Sequence, residues 1–135
     1  MTAGDDVRAL VLYRLQQADE ALQAARVLAG EGMPRQGVGR AYYAMFYSVL
    51  GLLAHRGLVS SRHSSAISLF DREFVKNGPF ARRHSKSLHE LFDLRQRADY
   101  REMFDLSAER AEEAIASASE FVDDVRTFLD REMGL

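Results

Sequence analysis

The sequence predicts an all-α, up-and-down antiparallel four-helix bundle with an additional short helix. Three observations predict it. Apolar residues recur at helical spacing in every long segment and nowhere alternate with polar ones between turn residues, as strands would require. The two prolines, Pro34 and Pro79, both fall beside glycines where the helical pattern has already broken. The connections are short, which makes successive helices antiparallel neighbours.

The first helix is expected from about Asp5 to Gly30, with Val7, Val11, Ala18, Leu22, Ala25 and Leu28 on one stripe. Gly30-Glu31-Gly32-Met33-Pro34 ends it, because neither glycine nor proline propagates a helix well. The second runs from about Arg35 to His55 around Val38, Ala41, Tyr42, Met45, Phe46, Val49, Leu52 and Leu53, with Gly57 as its C-terminal cap. Tyr43, Tyr47 and Leu50 make this helix apolar nearly all round, so it needs two burying surfaces. The second surface is either the other helices or another copy of the chain. A shorter third helix spans about His63 to Lys76, with Ile67, Phe70 and Phe74 at core spacing, and Asn77-Gly78-Pro79 turns the chain. A fourth, about Phe80 to Ala98, presents Leu88, Leu91, Phe92 and Leu94. Past the connection from Asp99 to Leu106, Ser107 caps a last helix, about Ala108 to Glu132, whose acidic Glu109 suits the helix dipole. Its seam is Ala111, Ile115, Ala118, Val122, Val125 and Leu129.

A chain of 135 residues with 47% hydrophobic and 28% charged content has room for one domain, residues 1–135, and is not disordered. No cysteine is present, which removes disulfides, thiolate zinc sites and a cysteine nucleophile together and suits a reducing cytoplasm. The acidic start, Thr2-Ala3-Gly4-Asp5-Asp6, is unlike a signal peptide, and the apolar run from Ala41 to Ala54 is shorter than the ~20 residues that span a membrane. A soluble, cytoplasmic protein is the expectation.

The net charge of −2 conceals an asymmetry. Residues 1–61 hold six Lys/Arg against five Asp/Glu, residues 62–101 nine against five, and residues 102–135 three against ten. The middle segment therefore attracts anions while the last helix is strongly acidic. Either these are opposite faces packed side by side, or the acidic helix limits indiscriminate nucleic-acid binding by the basic one.

Several chemistries are excluded. A di-metal carboxylate bundle needs Glu-x-x-His spacings, and none occurs; the second helix has no Asp or Glu at all. The glycines Gly30, Gly32, Gly37 and Gly39 lack the strand and lysine of a phosphate loop. No cofactor or metal is called for. Two segments stand out instead. In Gly39-Arg40-Ala41-Tyr42-Tyr43-Ala44-Met45-Phe46-Tyr47 an arginine precedes dense aromatics, which form either a core helix, an anion site at Arg40, or a dimer face through Tyr43, Tyr47 and Leu50. In Leu94-Arg95-Gln96-Arg97-Ala98-Asp99-Tyr100-Arg101 three arginines, a carboxylate and a phenol gather where a helix ends. Guanidinium forks match phosphate oxygens and a phenol stacks on a base, whereas an Arg–Asp lock under a packed Tyr is the structural alternative.

At these two segments the chain resembles the HEPN superfamily (higher eukaryotes and prokaryotes nucleotide-binding), and in particular its small stand-alone bacterial and archaeal members. Arg40-Ala41-Tyr42-Tyr43-Ala44-Met45-Phe46 matches one family helix, and Leu94-Arg95-Gln96-Arg97-Ala98-Asp99-Tyr100 matches a Leu-Arg-x-x-Ala-Asp-Tyr signature. Ser64-Ser65-Ala66-Ile67-Ser68-Leu69-Phe70 and Glu73-Phe74-Val75 are similar to the helix between them. The resemblance, from about Leu15 to Val125, implies a homodimeric bundle that partners a minimal nucleotidyltransferase in a toxin–antitoxin module. It implies RNA or nucleotide binding at Arg40, Arg95, Arg97 and Tyr100. Catalytic members are metal-independent ribonucleases in which an Arg is followed about four to six residues later by a His that moves the 2′-OH proton. Counting from Arg95, Tyr100 stands there instead, and a phenol is a poor base at neutral pH. Arg83 to His89 and Arg56 to His63 have similar spacings but lie elsewhere in the pattern. The expected site is therefore Arg95, Asp99 and Tyr100, with Arg40 beside it. The alternative function is a non-catalytic dimeric adaptor whose Arg/Asp/Tyr turn is structural.

Overall fold

The computed structural model describes residues 2–60, 62–98 and 105–135, and among these residues the regular structure is entirely helical. Helix α1 (Ala3–Gly30) begins two residues before the position expected from the apolar pattern. Thr2 accepts a hydrogen bond from the Asp5 amide at 3.1 Å, and the Asp5 carboxylate accepts from the Thr2 amide at 3.3 Å. This reciprocal box satisfies amides that the helix itself leaves open.

Helix α2 (Pro34–His55) starts on proline, whose missing N–H costs nothing in the first turn. Both α1 and α2 end in the same way. Gly32 and Gly57 take positive φ, and the next residues, Met33 and Leu58, donate back to Leu28 at 2.9 Å and to Leu53 at 2.8 Å. Gly37 is buried where the two helices meet; a Cβ there would lie 3.2 Å from the Ala25 carbonyl and the Ala29 methyl.

Helix α3 (His63–Phe70) runs straight into a π-helical stretch, Asp71–Lys76, where the sequence pattern suggested one uniform helix. Phe74 in that stretch is fully buried and packs on Phe70, Phe80 and Phe128. The expected start of the next helix at Phe80 is two residues early. Phe80 donates its amide to the Phe74 carbonyl at 2.9 Å and buries its ring, so it anchors the turn, and α4 (Arg82–Ala98) begins beyond it. Helix α5 (Ala108–Met133) is capped by Ser107, which accepts from the Arg110 amide at 3.1 Å, as the sequence predicts.

Helices α1 and α5 are antiparallel, as three cross-links in reverse order establish. Arg8 donates to the carbonyls of Met133 and Gly134, Arg126 pairs with Asp19 at 2.5 Å, and Arg26 donates to Ser119 at 3.1 Å. Helix α2 packs against α1, α3, α4 and α5. Its residues Val38, Ala41, Tyr42, Met45, Val49 and Leu52 are wholly inaccessible. No helix among the described residues is long and apolar enough to cross a membrane.

The turn at Gly78 has no space for a side chain: a Cβ would fall 2.4 Å from the backbone of Phe74. Gly78→Ala should lower the unfolding free energy by about 1–3 kcal/mol, the usual cost of overpacking. Gly39, in α2 with nothing near its missing Cβ, gives the opposite expectation. Gly39→Ala should raise it by about 0.5–1 kcal/mol. Urea titration of both variants reads the two signs.

Candidate functional site

The aromatic residues of α2 define the site. Tyr42, Tyr43 and Phe46 lie one helical turn apart or less, so their rings form one surface across the first turn of α3 and the last turns of α4. Tyr42 is fully buried and packs on Phe92 of α4 with ring centres 5.7 Å apart. His63, the first residue of α3, lies parallel to the Phe46 ring at 4.0 Å and edge-on to Tyr43 at 5.7 Å. Its Nδ1 is 2.7 Å from the Tyr42 hydroxyl.

Two guanidinium groups reach this surface. Arg95 of α4 stands 5.0 Å from the centre of the Tyr43 ring and 5.7 Å from that of Tyr42, and Arg40 of α2 lies 5.3 Å from Tyr43. Tyr43 thus lies beside both cations. An arginine over a ring keeps its in-plane N–H groups free for another partner. Neither Arg40 nor Arg95 makes a hydrogen bond or ion pair with a described residue, whereas Arg8, Arg83 and Arg126 all do. Both arginines are half-exposed.

Burial dominates the electrostatics. It pushes the Tyr42 phenol above its ordinary value; Arg95 opposes that shift and Tyr43 adds to it. His63 is pushed below 6.5, first by burial and then by the Arg95 charge. At neutral pH the pair is therefore a neutral imidazole against a protonated phenol.

The sequence-predicted residues distribute as follows. Arg40, Arg95 and Tyr43 come together. Tyr47 continues the aromatic row, 5.8 Å from Tyr43, and Leu50 is half-buried against the core. Arg97 is exposed on another side of α4, along a groove with Glu90, Asp93, Asp105 and Arg110. Asp99 and Tyr100 lie outside the described residues. Sequence spacing did not single out His63 as a partner of Arg95, because an entire loop, helix and turn separate them in the chain. Only the fold brings them to the same rings.

Two other polar clusters are tied up internally. Asp71 accepts from the Ser85 hydroxyl at 2.6 Å and bonds His89 at 2.6 Å, so the serine faces a carboxylate and not the imidazole that would activate it. Buried His84 bonds Asp124 at 2.6 Å, and Glu120 lies close by in an arrangement of metal-ligand type. Arg83 sits across both carboxylates, 2.8 Å from Glu120 and 3.6 Å from Asp124, and already balances them. Between α1 and α5 an open groove of about 700 Å³ is rimmed by Glu112, Glu120, Asp123 and Asp124, the wrong charge for an anion.

Comparison with known proteins places this helical bundle in a family. The HEPN domain matches residues 11–128, and the chain belongs to the HEPN family. It is similar to a UPF0332 protein of Thermotoga maritima, 32% identical over 121 residues that cover 90% of this chain and 92% of the other. A Methanocaldococcus jannaschii protein named as a candidate toxin is 32% identical over 124 residues, 92% of each chain. A second from that organism, named in the same way, is 27% identical over 115 residues, 85% of this chain and 78% of the other. The family resemblance read from the sequence is thereby established, as the structure itself establishes the helical bundle.

The depressed titration of His63 has a consequence for stability. The unfolded chain takes up a proton near pH 6.5 more readily than the folded one, so this contribution is complete above that pH and lost as pH falls through the folded value. Wild type should therefore lose more stability than His63→Gln between neutral pH and about pH 5. Parallel urea midpoints for the two across that range would contradict it.

Proposed function

We propose that this chain is a toxin-type HEPN module that binds single-stranded RNA at the α2–α4 surface. The single observation that carries the reading is the convergence of Arg40 and Arg95, both without a described anionic partner, on the Tyr43 ring. Guanidinium donors seat phosphate oxygens, and an aromatic row between them offers faces on which bases stack. The candidate-toxin names of two relatives support a toxin role, and family membership supports pairing with a minimal nucleotidyltransferase. In this reading Tyr47 and Leu50 form the homodimer face with Tyr43 at its rim, where the ring still reaches RNA, so that two copies of the arginine surface adjoin. Asp99 and Tyr100 enter the proposal from the sequence alone, and Arg97, which faces another side of α4, lies outside the proposed RNA path. Binding comes before cleavage here, since the family's histidine position holds Tyr100.

Arg95→Ala should weaken binding of a short single-stranded RNA about tenfold or more, as loss of a charge-assisted contact does. It should also flatten the salt dependence by roughly 0.7 in log–log slope per lost phosphate contact. Arg83→Ala, which removes a cation already paired on α5, should change neither. Equal affinities for wild type and Arg95→Ala at low salt would overturn the reading.

The dimer face is tested separately. Tyr47→Arg should convert a dimer to a monomer in sedimentation while leaving the helical circular dichroism unchanged. A wild type that sediments as a monomer at all concentrations would remove the homodimer from the proposal. Co-purification of the chain with a minimal nucleotidyltransferase encoded beside it should succeed, and its failure at micromolar concentrations would remove that partner.

A further inference from the structure

Tyr42 is fully inaccessible, yet it carries a hydroxyl into a surface otherwise built from rings. A buried O–H must donate to something, and among the described residues its one hydrogen-bond partner is His63 Nδ1 at 2.7 Å. That contact can be made in two ways. With the proton on Nδ1, the imidazole would donate and the phenol hydrogen would have no acceptor among the described residues, leaving a buried donor unsatisfied. With Nδ1 bare, the phenol donates to it and both groups are satisfied. Imidazolium, protonated on both nitrogens, is disfavoured by burial and by Arg95. Burial likewise keeps the phenol protonated and able to donate.

The ring has little freedom to escape this choice. Phe46 lies flat against it, 4.0 Å away and inclined by only 4°, while Tyr43 meets its edge. A tilt of the imidazole would break that stack, and a half-turn in its own plane would set a ring carbon in place of Nδ1 against the Tyr42 hydroxyl and lose the hydrogen bond. Nε2 then carries the remaining proton, has no hydrogen-bond partner among the described residues, and belongs to a half-exposed residue. Arg95 stands over the same two tyrosine rings that His63 touches.

We infer that Tyr42 is a positioning residue which fixes His63 as the neutral Nε2–H tautomer, and that this N–H and the Arg95 guanidinium together seat one RNA phosphate. The inference deepens the RNA-binding reading and rests on it. It assigns a role to a histidine outside the Arg-to-His spacing of the family. It also makes His63 a donor toward the phosphate and not a free base. The charge on the seat comes from Arg95 alone, so phosphate is recognised by one charged and one neutral donor.

The test uses the full chain labelled with ¹⁵N-histidine and a short oligouridylate as the RNA probe. Two-bond ¹H–¹⁵N correlations distinguish the tautomers directly. Wild type at neutral pH should show His63 protonated on Nε2 only. Tyr42→Phe keeps the ring that fills the core, so it should fold; it should show a mixture of tautomers and bind oligouridylate about threefold to tenfold more weakly. His63→Gln, whose longer amide reaches the place of Nε2, should bind more tightly than His63→Ala. An Nδ1–H tautomer in wild type, or an unchanged tautomer in Tyr42→Phe, would overturn the role of Tyr42 whatever the RNA does. If Arg95→Ala weakens binding and His63→Ala does not, the shared seat is wrong while the RNA-binding reading stands. If wild type binds no oligouridylate, the seat and that reading fall together, and the tautomer spectrum still decides the part played by Tyr42.

Discussion

The burial of α2 on several sides at once is the constraint on which the rest of the structure depends. Few helices in so small a protein are apolar round most of their circumference, and such a helix cannot lie on a surface. Covering it requires α1 and α5 on one side and α3 and α4 on another. The close approach of α1 at Gly37, the glycine-capped ends of both helices, and the Arg8 and Arg126 cross-links between α1 and α5 all serve that enclosure. Truncating one of its large buried side chains, such as Met45 or Leu52, removes contacts from more than one neighbour. Substitutions of this kind cost about 2–5 kcal/mol, a large share of the stability of an ordinary domain.

The same constraint creates the site. Because α2 carries Tyr42, Tyr43 and Phe46 within little more than one turn, the helices that cover it deliver His63 and Arg95 onto aromatic rings. Elsewhere the bundle neutralises its charges across helices, as where Arg83 of α4 meets Glu120 and Asp124 of α5. The acidic excess of the last helix is partly spent in that way. Arg40 and Arg95 have no anionic partner among the described residues and lie instead against the tyrosine rings of the α2–α4 face. Base stacking and phosphate contact are therefore available at one place, next to the row that the proposed dimer would cover.

Much of this was legible in the sequence, for local reasons. Pro34, Gly57 and Ser107 mark helix ends through backbone chemistry that acts within a few residues, and the apolar stripes of α2 and α5 report their buried faces directly. The departures are equally physical. Asp5 closes the cap with Thr2 in a position where a longer acid is the usual signal, so α1 begins earlier than its apolar stripe suggests. Phe80 is spaced as a helical residue but is held by Phe74 as an anchor before α4. The π-helical turns after Phe70 leave no trace in apolar spacing. His63 was illegible as a site residue because its meaning is tertiary: only packing brings Tyr42, Phe46 and Arg95 around it.

The central claim is that the Arg40 and Arg95 face, and no other surface, receives RNA. Side-chain NMR of the full chain titrated with a short single-stranded RNA tests this most directly. The account predicts that the Nε–H signals of Arg40 and Arg95 and the ring signals of Tyr43 shift together and saturate at one RNA concentration. Shifts confined to the groove along Arg97, or to the acidic groove between α1 and α5, would contradict it.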